Sequence, residues 1–265
     1  MHKLTRQLYQ QQQRKNRLRK WFILIMIVIF IFAIGFGIFS FFEKQEQQRQ
    51  HLITQYPVRG LIIDQDDSYV DFTEANQRGI KYAYIRATQG ANFTDDDFSD
   101  NYSRSIGSGL KIGVYHQFGF GSSVKDQEQN FVRSVGNNIG DLPIGIDISY
   151  YGDYNSENVN PKKLRTKIIE ITSFLYHKYH RPILLKTSSD NYQILKNINH
   201  VQFSLDGNHN AKKVEFINLN KSDQIYDNGK SSDYQMSAFD GNKVKWEQYL
   251  KQLKNDDLEK SGLHD

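Results

Sequence analysis

The chain has 265 residues, 38% hydrophobic and 24% charged, enough for one mid-sized domain with appendages. It contains no cysteine, which excludes disulfides, thiolate metal sites and cysteine nucleophiles. The net charge of +4 is concentrated at one end: seven basic residues and no acid lie in the first twenty positions, leaving 27 basic against 30 acidic residues elsewhere. A mildly acidic body argues against a nucleic-acid-binding surface.

Residues 1–20 form a basic, Gln-rich tail that is expected to be disordered and cytoplasmic. Residues 21–42 run WFILIMIVIFIFAIGFGIFSFF without a charge. As a helix this stretch is about 33 Å long, which matches a bilayer core, and it is predicted to be a transmembrane anchor. A cleaved signal peptide is the alternative, since Ala33-Ile34-Gly35 resembles a cleavage site. Basic residues precede the span, whereas Glu43, Lys44, Glu46 and Arg49 after it balance. The positive-inside tendency therefore predicts a single-pass protein with its N-terminus in the cytoplasm and its C-terminal part at the cell surface. Residues 43–55 are predicted to be a polar stalk.

From residue 56 to 254 the apolar pattern alternates between strand-like runs and helical spacing. Strands are predicted over 58–63, 80–86, 111–116, 142–148 and 183–187, with short strands at 201–205, 214–219 and 234–237. Between them fall a short helix from Phe72, a helix with Phe98, Tyr102 and Ile106 on one face, and a helix capped by Ser123 with Asp126. A longer helix starts at Asn160 and Pro161 and runs through Tyr179. A last helix covers 246–253, and 255–265 is a charged tail.

Such alternation predicts an α/β fold with a parallel sheet, open or closed into a barrel, and functional groups just after the strands. Asp64, Gln89, Tyr115, His116, Asp147 and Ser149 occupy those places. Carboxylates, an amide, a His and tyrosines gathered in this way suit a carbohydrate site, and Tyr150, Tyr151 and Tyr154 are placed to stack on sugar faces.

KYAYIRATQG (81–90), FTDDDFSDNYSRSIGSGLKIGVYHQF (93–118) and LPIGIDIS (142–149) resemble, in order and spacing, the motifs of the family 25 lysozymes. The resemblance implies a modified β/α (TIM-like) barrel and N-acetylmuramidase activity on the β-1,4 bonds of peptidoglycan, with no metal and no organic cofactor. Tyr115, His116 and Asp147 match the family pattern. At the family's D-x-E pair this chain has Asp147-Ile148-Ser149, so that the resemblance puts Ser149 where a general-acid Glu is expected. Counted from Gly60, the family's first-strand Asp falls on Ile62. Asp64 lies two residues further along the same strand face and is the candidate substitute. Gln89 stands for the Glu of K-A-T-E-G, Tyr234 begins the segment matching W-Q-Y-S, and a substrate-contacting Tyr falls on Leu185 or Lys186. The expected site is thus catalytic Asp147 and Asp64, with Gln89, Tyr115, His116, Ser149 and Tyr234 contacting glycan. Two readings follow: a hydrolase of peptidoglycan or a related cell-surface polysaccharide using a rearranged carboxylate pair, and a catalytically impaired pseudoenzyme that binds glycan or assists envelope assembly.

Overall fold

A computed structural model describes residues 2–67, 69–207, 211–227 and 230–261, and the last four residues of the predicted charged tail lie outside them. The chain divides into two compact units, Met1–Gln55 and Tyr56–Asp265.

The first unit is a single helix, α1 (His2–Gln55). It runs through the tail expected to be disordered and through the predicted polar stalk. Its 54 residues include no proline, and the polar ends are rich in Gln, Lys, Arg and Leu, all good helix formers. Side chains from Trp21 to Phe42 are exposed around the whole helix, Phe32 by 74% and Phe36 by 72%. Among the described residues this is the one helix long and apolar enough to cross a membrane.

In the second unit the chain order is β1 (Arg59–Ile63), α2 (Phe72–Gln77), β2 (Ile80–Gln89), β3 (Phe93–Thr94), α3 (Phe98–Ser105), β4 (Lys111–Gln117), α4 (Val124–Val135), β5 (Ile144–Asp147), α5 (Pro161–Tyr179), β6 (Ile183–Thr187), α6 (Ser189–Leu195), β7 (Val201–Asp206), β8 (Val214–Asp227), β9 (Lys230–Phe239) and α7 (Lys243–Ser261). Neighbours from β1 through β2, β4, β5, β6, β7 to β8 pair in parallel. The antiparallel β9 joins β8 to β1, and the ring closes. The open-or-closed question is settled by β1, which pairs with both β2 and β9: this is an eight-stranded barrel of the modified TIM type, with β3 attached to the end of β2.

Local chemistry accounts for most of the helix boundaries. Ser123 Oγ accepts from the Asp126 amide at 3.2 Å, and Asn160 Oδ1 accepts from the Lys163 amide at 3.1 Å with Pro161 in the first turn. Helix α3 ends at Ser105, short of the end expected near Gly109. Ile106 is extended and 71% exposed, because Gly107 and Gly109 follow with φ of 80° and 83° and turn the chain. Helix α6 was not foreseen, and β8 with β9 forms a much longer hairpin than predicted, paired out to Asp227 and Lys230.

The barrel interior is filled by tyrosines opposite glycines. A Cβ on Gly60 would come within 2.1 Å of the Tyr82 ring, and one on Gly145 within 2.6 Å of Tyr115 Cβ. Below them Tyr82, Phe216 and Phe239 meet Trp246 and Tyr249 of α7, with Tyr82 and Trp246 centroids 5.4 Å apart. Val58 just before β1, the start of β2 and the end of antiparallel β9 all belong to this cluster. Helix α7 therefore closes the N-terminal opening, and the site is left to the C-terminal mouth.

Candidate functional site

Strand register places the mouth residues. Asp147 and Lys186 are direct partners across β5 and β6, Lys186 is opposite Ser204, and Arg86 is opposite Tyr115. Tyr115, Asp147, Lys186 and Ser204 surround a cavity of about 30 Å³, lined also by Ile62, Leu184, Phe216 and Ser237. That is room for about one or two waters, so the interior beneath the mouth is nearly full.

Asp147 is the centre of this arrangement. Its Oδ2 accepts from Lys186 Nζ at 2.8 Å, and its Oδ1 accepts from the Ser149 amide at 2.8 Å and from Ser149 Oγ at 2.5 Å. Both side chains of the ion pair are largely covered, 9% exposed for Asp147 and 18% for Lys186. Across the mouth, Arg86 Nη1 reaches Asp64 Oδ2 at 3.1 Å and its Nε donates to Asp95 Oδ2 at 2.8 Å. Asp95 also accepts from the Gln65 amide at 3.0 Å, which ties the loop after β1 to the turn after β3. Every carboxylate named here already has a cation or donor, the condition for burying charge at all.

The electrostatics follow from burial and crowding of acids. Burial pushes the Tyr115 hydroxyl well above the usual phenol range, and Asp64 and Asp147 nearby raise it further. Burial raises Asp95 against the pull of Arg86 and backbone donors. Asp67 rises to about 6, mainly through burial, with Asp64 and Asp66 adding to it against a backbone donor.

The expected residues separate into two groups. Asp147, Ser149, Tyr115 and Asp64 do converge at the mouth. Gln89 lies at the end of β2 and pairs with Gln117, three residues beyond Arg86 with a register shift between. His116 does not reach the mouth. It follows Tyr115, so the pleat turns it outward, where it is fully buried against α4. Its Nε2 donates to Gln127 Oε1 at 3.0 Å and its Nδ1 accepts from Thr88 Oγ1 at 2.8 Å. Burial lowers it to about 4, with the Gln127 bond opposing. The expected glycan contact from His116 is thereby corrected to a structural role. Tyr234 is also on the outer face. It is 1% exposed and donates to the Tyr69 carbonyl at 2.9 Å, while Ser237 faces inward and meets Tyr82 Oη at 2.9 Å.

Two interior cations were absent from the expected site. Of the pair left open, Leu185 faces out and Lys186 lines the cavity. Arg86 in KYAYIRATQ and Lys186 in ILLKT are charges inside otherwise buried strands, a pattern that requires a carboxylate partner and could have identified both. Above the mouth, Tyr150 stacks on Phe120 at 5.3 Å, and Tyr154 lies 5.2 Å from the same ring, so these tyrosines pack on one another at the rim. Among the described residues no cluster of His, Asp or Glu is arranged to hold a metal ion.

Comparison with known proteins agrees with this architecture. Residues 63–205 match the sequence profile of Glycosyl hydrolases family 25. An autolytic lysozyme of Clostridium acetobutylicum is 26% identical over 139 residues, which cover 50% of this chain and 43% of that protein. The chain thus spans less than half the length of this curated relative. A family 25 glycosyl hydrolase from Bacillus anthracis superposes with a TM-score of 0.65 at 20% identity, covering 73% of this chain and 93% of that one. A bacterial lysozyme from Streptomyces coelicolor gives 0.61 at 20% identity, covering 75% and 98%. A profile match across more than half of the sequence, on a closed barrel with its polar groups at the C-terminal mouth, makes this chain a member of glycosyl hydrolase family 25.

Proposed function

We propose that the chain is a membrane-anchored, extracytoplasmic member of its family that binds peptidoglycan or a related surface polysaccharide and has lost efficient hydrolysis. The observation that carries this reading is the engagement of Asp147. Both its oxygens accept from Lys186 and Ser149, so in this geometry it offers no proton to a leaving oxygen. We read Ser149 as standing where the family's D-x-E pair has its acid, and a hydroxyl cannot replace a carboxylic acid there. General acid–base help is worth about 10²–10⁴-fold, which sets the expected size of the loss. The exposed apolar helix and the basic residues before it support the anchor and the outward orientation of the barrel.

Hydrolysis by Asp147 with Asp64 is the second reading, favoured by one observation: Tyr115 lines the cavity with Asp147 and lies opposite Arg86, which holds Asp64 at 3.1 Å, so both carboxylates are at the mouth. A reducing-end assay on peptidoglycan separates the two. The wild-type chain is expected to release reducing ends barely above background, with Ser149→Glu raising the rate and Ser149→Glu with Lys186→Tyr raising it further. Robust wild-type cleavage abolished by Asp147→Asn or Asp64→Asn would overturn the pseudoenzyme reading.

A further inference from the structure

A second hollow on the barrel lies away from its mouth. Between α5 and the segment joining α6 to β7 lies a groove of about 330 Å³. Its walls carry Arg165, Tyr176, His177, Asn197, Asn199 and His200, and none of its lining residues is acidic. Arg165 donates to the Ile194 carbonyl and makes no ion pair among the described residues. An arginine held by one carbonyl keeps further donors in a planar fork suited to a carboxylate or phosphate.

The surroundings have the same sign. Helix α5 contains Lys162, Lys163, Arg165 and Lys178 against the single acid Glu170, with Lys167 turned away to the Phe120 and Ser122 carbonyls, in a domain that is otherwise mildly acidic. Lys213 Nζ donates to the Ile198 carbonyl at 2.7 Å and brings another ammonium to the groove's edge. The groove also has a flat wall. The Tyr176 and His200 rings stack at 3.8 Å and 12°, and His200 holds a φ of 58°, a conformation side chains of its size seldom adopt. His177 donates from Nδ1 to the Ser173 carbonyl at 2.7 Å, which fixes its ring beside them.

We propose that this groove binds an anionic polysaccharide, with a carboxylate or phosphate at Arg165 and a sugar ring against the Tyr176–His200 stack. It is a second site, on the flank of the barrel, and does not depend on chemistry at Asp147. A polymer bound there and at the mouth would be gripped twice, with avidity exceeding either site alone. A groove with amide and aromatic walls favours a discrete glycan unit over a flat lipid surface, which a basic patch alone would suit.

The test uses the full chain in detergent micelles and titration calorimetry with oligogalacturonate, phosphomannan fragments and neutral chitotetraose. At least one anionic probe should bind, and more weakly as salt rises. The exposed pair Asn197→Asp with Asn199→Asp, which adds negative charge without touching the core, should weaken that binding by about tenfold or more, as should Arg165→Gln. Chitotetraose binding in the same variants should stay at the wild-type level. Failure of both anionic probes to bind the wild type overturns the proposal, as does binding that the two aspartates leave unchanged. Loss of anionic-probe binding in Asp147→Ala combined with Lys186→Met, which leaves no stranded charge, would place it at the mouth and equally overturn it. So would co-sedimentation with vesicles of 30% phosphatidylglycerol by nanodisc-held protein that ignores both glycans, since that result describes a lipid-binding patch.

Discussion

Asp147 and Lys186 illustrate what a charge costs once it is inside a barrel. The pair is largely covered, so removing one partner strands the other. Asp147→Ala should destabilise the barrel by about 2–4 kcal/mol, while Asp147→Ala combined with Lys186→Met should recover most of that loss, both read from denaturant midpoints. Equal destabilisation in the two variants would mean that the pair is solvated and worth little. His116 provides a pH signature of its own. The fold prefers the neutral ring, whose value falls from 6.5 to about 4 through burial. Its contribution is therefore complete above about pH 6.5 and is lost as the pH falls towards 4, amounting to about 3 kcal/mol. His116→Gln should flatten the stability profile across that window, and an unchanged slope would assign the acid lability to other groups.

At the level of strands and helices, the interior depends on glycines that leave room for rings. Gly145→Ala should push Tyr115 out of place and cost about 1–3 kcal/mol, visible as a lower melting temperature. A neutral effect would show that β5 can shift outward. The same scale explains what could be seen in the sequence. Apolar runs and caps were legible for β1, β2, β4, β5, β6, α4 and α5, because the strands are buried on both faces and each of the two helices carries its own N-cap. The outer part of the β8–β9 hairpin was not, since NKSDQIYD has no apolar alternation to reveal a strand held by backbone pairing. For the site, motif order located Asp147, Ser149 and Tyr115. The parity of a strand, which separates Tyr115 from His116 and Ser237 from Tyr234, is legible in principle, but a register shift such as that between Arg86 and Thr88 resets it.

For the whole molecule, the apolar helix belongs to one compact unit and the barrel to another, and the proposed anchor predicts a topology. A reporter fused after Asp265 should be accessible outside intact cells and one fused before Met1 should not. Protection of the C-terminal reporter from external protease would sink the anchor's orientation, and release of a soluble form cut near Gly35 would favour cleavage instead.

The closure of the barrel also has a consequence in time. Strand β1 needs β9 as its second neighbour, and the floor of the core is supplied by Trp246 and Tyr249 of α7. The first strand made is therefore incomplete until some 175 residues later in the chain have been synthesised, about ten seconds or more at ordinary elongation rates. During that interval Gly60 to Ile63 is an apolar edge without its partner. Assembly of this domain is thus a late, all-at-once event with long-range pairing, the kind of fold that gains most from a factor shielding the growing chain.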